Sequence, residues 1–255
     1  MLTVAAGRDI SGIWGGAGDD ALTLAGGANL DNITGDAGDD VITVAAGKEA
    51  RWISGGQDQD ILNVNAGEAV SDISGGSGSD IINVASGQAA YNILGGDGDD
   101  AISIAATTVN RVDGGRGDDS ITINASTAEA ISGGQGDDTI NLTGTDKARL
   151  FFDRGDGKDT VNVAGETTIV FAERSIDDAT ISYGDGTITI SFADNGDSVT
   201  LDYSAATLKG AQPALSTATT GATELRRVGP AGMGASSLYA YSDAHGIGGF
   251  SLTLS

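Results

Sequence analysis

The residues of this chain best placed to do chemistry are eight aspartates: Asp20, Asp40, Asp60, Asp80, Asp100, Asp119, Asp138 and Asp159. Successive members are 20, 20, 20, 20, 19, 19 and 21 residues apart. A chain that coils once per repeat stacks them in a column. Neighbouring strands lie about 4.8 Å apart, and two carboxylates that close repel by about 1 kcal/mol even in water. Such a column needs cations between its members. Backbone carbonyls and carboxylates are the ligands on offer, because the chain has no cysteine and only one histidine, His245. An oxygen-only set suits a hard cation such as Ca2+.

Each aspartate closes a six-residue turn. Position one is Gly15, Gly35, Gly55, Gly75, Gly95, Gly114, Gly133 and finally Arg154. Position two is Gly16, Asp36, Gly56, Gly76, Gly96, Gly115, Gly134 and Gly155. Position three varies: Ala17, Ala37, Gln57, Ser77, Asp97, Arg116, Gln135 and Asp156. Position four is Gly18, Gly38, Asp58, Gly78, Gly98, Gly117, Gly136 and Gly157. Asp36 and Asp58 replace glycine where a left-handed backbone is expected, a conformation aspartate tolerates. Position five mixes Asp19, Gln59, Ser79 and Lys158, so it is read as facing solvent rather than a metal.

Alternating strands must hold these turns. After each turn an apolar pair such as Leu22/Leu24, Ile82/Val84 or Val161/Val163 brackets a Thr, Asn or Ser, a period of two with one buried face. A second strand before each turn is marked by Ile13, Ile33, Ile53, Ile73, Ile93, Val112 and Ile131. One coil is strand, turn, strand, turn. The expected fold is all-β: a parallel β-roll or β-solenoid of about 20-residue coils with a C-terminal antiparallel β cap.

The turns resemble the RTX, or haemolysin-type calcium-binding, repeats of bacterial secreted proteins, over residues 15–164. The resemblance implies one Ca2+ between successive turns. Carbonyls of positions one and three would come from one turn, those of two and four from the next, and the aspartate from both. Carried over, the first turn supplies Gly15, Ala17 and Asp20, and the last supplies Gly155, Gly157 and Asp159. Every turn between supplies all four carbonyls and its aspartate. Eight turns bound seven gaps, so about seven ions are expected. RTX coils usually carry such a turn on both edges. Here the opposite corners share Gly7, Gly27, Gly47, Gly67 and Gly87 but no acid, so the ladder is read as one-sided.

The net charge is −23, from 36 acids and 13 Lys and Arg. Residues 206–255 hold only Glu224 and Asp243 against Lys209, Arg226 and Arg227, so the acidity belongs to the first 205 residues. That charge argues against a nucleic-acid partner and suits cation binding. No apolar run is long enough to span a membrane as a helix. Met1–Val4 matches Val41–Val44 in register, which reads as a chain opening mid-coil, part of a longer protein.

Three segments are expected: the solenoid (1–164), a β-hairpin cap (165–204) and a C-terminal tail (205–255). Strands are expected at Thr168–Ala172, Ala179–Tyr183, Thr187–Phe192, Ser198–Tyr203 and Gly249–Ser255. RTX proteins carry an uncleaved C-terminal signal for type I secretion, and the tail is a candidate for it. The resemblance therefore implies a secreted, extracellular or cell-surface module that folds on calcium after export. Alternatives are a calcium-dependent adhesin or surface-layer segment with a cell-surface or glycan ligand, and the C-terminal part of an exoenzyme.

Catalysis is not expected on this chain. A lone histidine makes no zinc triad, and no nucleophile elbow is present. Arg116-Gly117-Asp118 and Arg154-Gly155-Asp156 lie within turns rich in Gly and Asp, so their adhesion-tripeptide spelling is read as accidental. Position three is too irregular for an ice-binding array. Trp14, Arg51, Trp52, Tyr91 and Arg111 occupy outward positions. They are read as scattered surface residues, with a ligand-binding face as the alternative.

Overall fold

The computed structural model describes residues 1–6, 8–172, 174–203, 212–217, 233–242 and 248–254. The expectations for Gly7, for His245 and for most of the tail fall outside these residues. Two 12-stranded sheets face each other. In one, short strands from Leu2–Ala6 to Lys158–Asn162 pair in parallel, each with its equivalent one coil on. In the other, longer strands from Ile10–Ala17 to Glu166–Ala172 do the same. This is a β-solenoid with coils of about 20 residues, as the repeat dictates.

The inward pairs of the short strands fill the space between the sheets; Leu24, Ile42, Leu62, Ile82 and Ile121 are essentially inaccessible. On the long strands the period of two fails. The buried positions are Leu30 and Ile33, Ala50 and Ile53, Val70 and Ile73, Val109 and Val112, each three residues apart. Two outward residues therefore stand side by side, and the backbone must bend to allow it. The second of each pair takes a positive φ: Gly12 (73°), Asn32 (55°), Trp52 (54°), Asp72 (57°), Asn92 (53°), Arg111 (60°) and Ala130 (55°). Registered pairing skips this residue in coil after coil. The eighth coil drops it, so that Ala128 pairs with Ala148 while Ile131 pairs with Leu150.

The corner opposite the aspartates is closed mainly by main chain: Lys48 N–H donates to the Ala28 carbonyl and Glu68 N–H to the Lys48 carbonyl, both at 2.8 Å, while Asp9 Oδ1 accepts the Ala28 and Asn29 N–H groups at 2.9 and 2.8 Å. Gly67 and Gly87 are glycines because a Cβ there would overlap the carbonyl one coil back.

Beyond the coils, Ala179–Tyr183, Thr187–Phe192 and Ser198–Asp202 form an antiparallel meander. Its last strand joins the solenoid in parallel, pairing Asp159 with Val199. On the other sheet, Gly248–Leu254 lies antiparallel to Glu166–Ala172. Met233–Ser242 and Gln212–Thr217 complete that edge. Phe152, Phe171 and Phe192 pack between the two layers, with centroids 6.0 and 5.5 Å apart.

Candidate metal centre

The turn backbone explains three of the conserved-looking positions within the repeat. Positions two and four have positive φ throughout, including Asp36 at 78° and Asp58 at 73°. Both aspartates stand where only glycine and a few short polar residues fit. Position one is glycine for a different reason. Its φ is ordinary, but a Cβ on Gly35, Gly55, Gly95, Gly114 or Gly133 would collide with Oδ2 of the aspartate five residues on. The carboxylate folds back across its own turn onto that bare Cα.

Six of the eight aspartates, Asp40 through Asp138, are 1–2% exposed; Asp159 is 3% exposed. Each carboxylate has two distinct oxygens. Oδ1 accepts the backbone N–H of the aspartate one coil earlier: Asp20 to Asp40 at 2.7 Å, Asp60 to Asp80 at 2.8 Å, Asp80 to Asp100 at 2.8 Å, and so on to Asp138 and Asp159 at 3.1 Å. Oδ2 of Asp40, Asp60, Asp80, Asp100, Asp119 and Asp138 is buried and has no hydrogen-bond partner among the described residues. At Gly75 an ideal Cβ would lie 2.7 Å from the Gly95 carbonyl oxygen and closer still to Asp80 Oδ2, so both oxygens crowd the same bare Cα.

Burial dominates the electrostatics. It pushes Asp60 and Asp119 up to about 7, Asp80, Asp100 and Asp138 to about 6, and Asp159 to about 8. The N–H bond from the preceding aspartate pulls each back down, and neighbouring carboxylates raise most of them further. Asp40 is also raised, again by burial first. Without a counter-charge the column is held at a cost.

Carbonyls of positions one to four line each gap, but their turns of origin are exchanged relative to expectation. Position-one and position-three carbonyls point back toward the preceding turn. Gly35 O faces Gly15, and Ala37 O accepts the Gly18 N–H at 2.7 Å. Position-two and position-four carbonyls point forward: Gly76 O lies against Gly96 and Gly78 O against Gly98. At the first gap the Gly18 carbonyl lies against Gly38, and Gly35 and Ala37 face it from the second turn. At the last turn Gly157 O accepts the Ser198 N–H and Asp156 O accepts the Gly136 N–H, both at 2.8 Å. Parallel pairing imposes this direction, and spacing alone does not reveal it.

Position five is exposed as expected, yet it is not idle. Asp39 N–H donates to Asp19 Oδ1 at 3.1 Å, Asp118 N–H to Asp99 Oδ1 at 2.8 Å and Lys158 N–H to Asp137 Oδ1 at 2.9 Å. Position-five side chains thus cap the following coil, while position-six side chains cap the preceding one.

The donors fit a hard cation in kind: all are oxygen, and six are orphaned carboxylate atoms. No three acidic side chains converge among the described residues. An ion between two turns would therefore be held by two aspartates and the facing carbonyls. Several position-three carbonyls already accept one N–H, which leaves a second lone pair on each.

The ladder stops at the cap. Val199 occupies the register position after Asp159, and Arg174, its side chain 3% exposed, pairs with Asp197 and with Asp194 at 3.4 Å. Its guanidinium also lies 3.9 Å from the Phe192 centroid. No signal in the repeats pointed to this residue. Compared with known families, the chain matches no family model, and no curated protein matches it.

Proposed function

We propose that the chain is a calcium-binding β-solenoid of the RTX kind, a structural module that folds when calcium is supplied outside the cell. The observation that supports it is the line of six buried Oδ2 atoms without partners among the described residues. An unpaired buried acceptor costs about 1–3 kcal/mol, more when charged. A divalent ion in each gap removes that cost and cancels the repulsion along the column. Asp20 to Asp159 and the facing carbonyls would hold the ions, about seven across the gaps between eight turns.

The ion would supply charge neutralisation and, because the unfolded chain has no ladder, folding free energy. Extracellular modules of this class bind at about 10⁻⁴–10⁻³ M. At the low calcium of a cytosol a chain of charge −23 would stay expanded, which suits export by type I secretion machinery. An adhesin or an exoenzyme could each carry such a module. Elemental analysis after equilibrium dialysis tests the reading: about seven calcium ions per chain are expected at millimolar calcium, and fewer than one would overturn it.

A further inference from the structure

We propose that the outer face of the long-strand sheet binds a neutral, β-linked polysaccharide along a strip centred on Trp14 and Trp52. Both indoles are exposed, at 61% and 56%. They lie in one column although their sequence positions differ. Trp52 is the outward bulge residue of its coil, equivalent by register to Asn32 and Gly12. Trp14 stands two residues after Gly12, and its ring folds back over that glycine: a Cβ there would meet ring atom Cη2 at 3.0 Å. The column therefore reads indole, Asn32, indole, Asp72, Asn92 over five successive coils.

The indoles are two coils apart, about 9.6 Å at the spacing of parallel strands. In a β-linked pyranose chain with a two-fold twist, alternate rings present the same face. Such a chain can lay alternate apolar faces on the two indoles and turn its hydroxyls toward Asn32 between them and Asp72 beyond Trp52. Tyr91, 44% exposed, adjoins Asn92 at the far end. The strip is held in place: Arg51 lies 5.2 Å from the Trp52 ring centroid and is itself pinned by Glu49 at 3.2 Å and Asp31 at 3.7 Å. Asn92 donates to Asp72 Oδ1 at 2.7 Å, which fixes the amide, its own Oδ1 being turned inward and buried.

Charge selects the sugar. Two carboxylates compensate Arg51, so no spare cation at the centre of the strip is left to hold an anion. The chain as a whole carries −23, which repels polyanions. The inference rests on the fold and not on the calcium reading.

The chain has only two tryptophans, so their emission reports on this strip alone. The full chain, verified as folded by circular dichroism in calcium buffer, is titrated with hydroxyethylcellulose, glucomannan and xylan, and separately with polygalacturonate. A saturable blue shift with at least one neutral polymer, and none with polygalacturonate, is expected. By affinity electrophoresis W14A/W52A should bind at least tenfold more weakly. Each single variant should lie between it and the parent. No response to any neutral polymer overturns the proposal. So does a folded double variant that binds as the parent does, or a response to polygalacturonate or to protein alone.

Discussion

The backbone N–H of Asp60 donates to Oδ1 of Asp80, one coil further on, at 2.8 Å, while the other oxygen of Asp80 is buried without a partner among the described residues. One side chain thus holds two coils together and leaves a charge to be neutralised. Asp80→Ala removes both. It strands the Asp60 N–H at a cost of about 1–3 kcal/mol and raises the calcium needed for folding. Asp80→Asn keeps the oxygen acceptor and loses the charge. In chelator it should melt at or above the parent temperature, and in calcium below it. Thermal melts of the two variants in both buffers separate the roles.

The raised carboxyls set the sign of the pH dependence. In the folded chain burial pushes Asp60, Asp80, Asp100, Asp119, Asp138 and Asp159 up to between about 6 and about 8, while the unfolded chain titrates near the ordinary aspartate value. Between those limits the folded state binds more protons, so stability falls as pH rises. The contribution is fully present below about pH 4, declines as pH rises above it and is gone once pH has passed the folded values of about 6 to about 8. In chelator the melting temperature should fall steadily from pH 4.5 to 8, and calcium should restore it most at pH 8. A rise with pH in chelator would contradict the buried column.

Two glycine substitutions should differ because their constraints differ. Gly16 has φ of 102° and open space around a Cβ, so Gly16→Ala costs only left-handed strain, about 1–2 kcal/mol. A Cβ on Gly95 would overlap both Asp100 Oδ2 and the Gly114 carbonyl. Gly95→Ala must displace the carboxylate and should lose more stability than Gly16→Ala in calcium. Paired denaturant titrations give the order directly.

Arg174 closes the ladder against Asp197, which is 9% exposed. Removing one partner of a buried ion pair costs about 3–5 kcal/mol, so Arg174→Ala should loosen the cap. Adding Asp197→Asn to that variant should recover part of the loss. Amide exchange across residues 179–202 measures it.

Much of this was legible in the amino-acid sequence because the repeat is a geometric constraint. Leu22/Leu24 and their equivalents, the aspartate column and the cap strands at Ala179–Tyr183 and Thr187–Phe192 follow from period and spacing. The bulge column was less visible. Asn32, Asp72 and Asn92 suit a left-handed residue, but Trp52, Arg111 and Ala130 do not, and stacking in the sheet overrides their preference. Direction was hidden too: which turn each carbonyl faces depends on how parallel strands pair. Arg174 lies outside any repeat, so only packing against Phe192 and Asp197 identifies it.

The central claim is that calcium completes the aspartate column. Far-UV circular dichroism of the chelated chain at pH 7.5, followed through a calcium titration, tests it most directly. A cooperative coil-to-β transition at high micromolar to millimolar calcium, absent with magnesium, is the predicted result. A full β spectrum in chelator, unchanged by calcium, would contradict it.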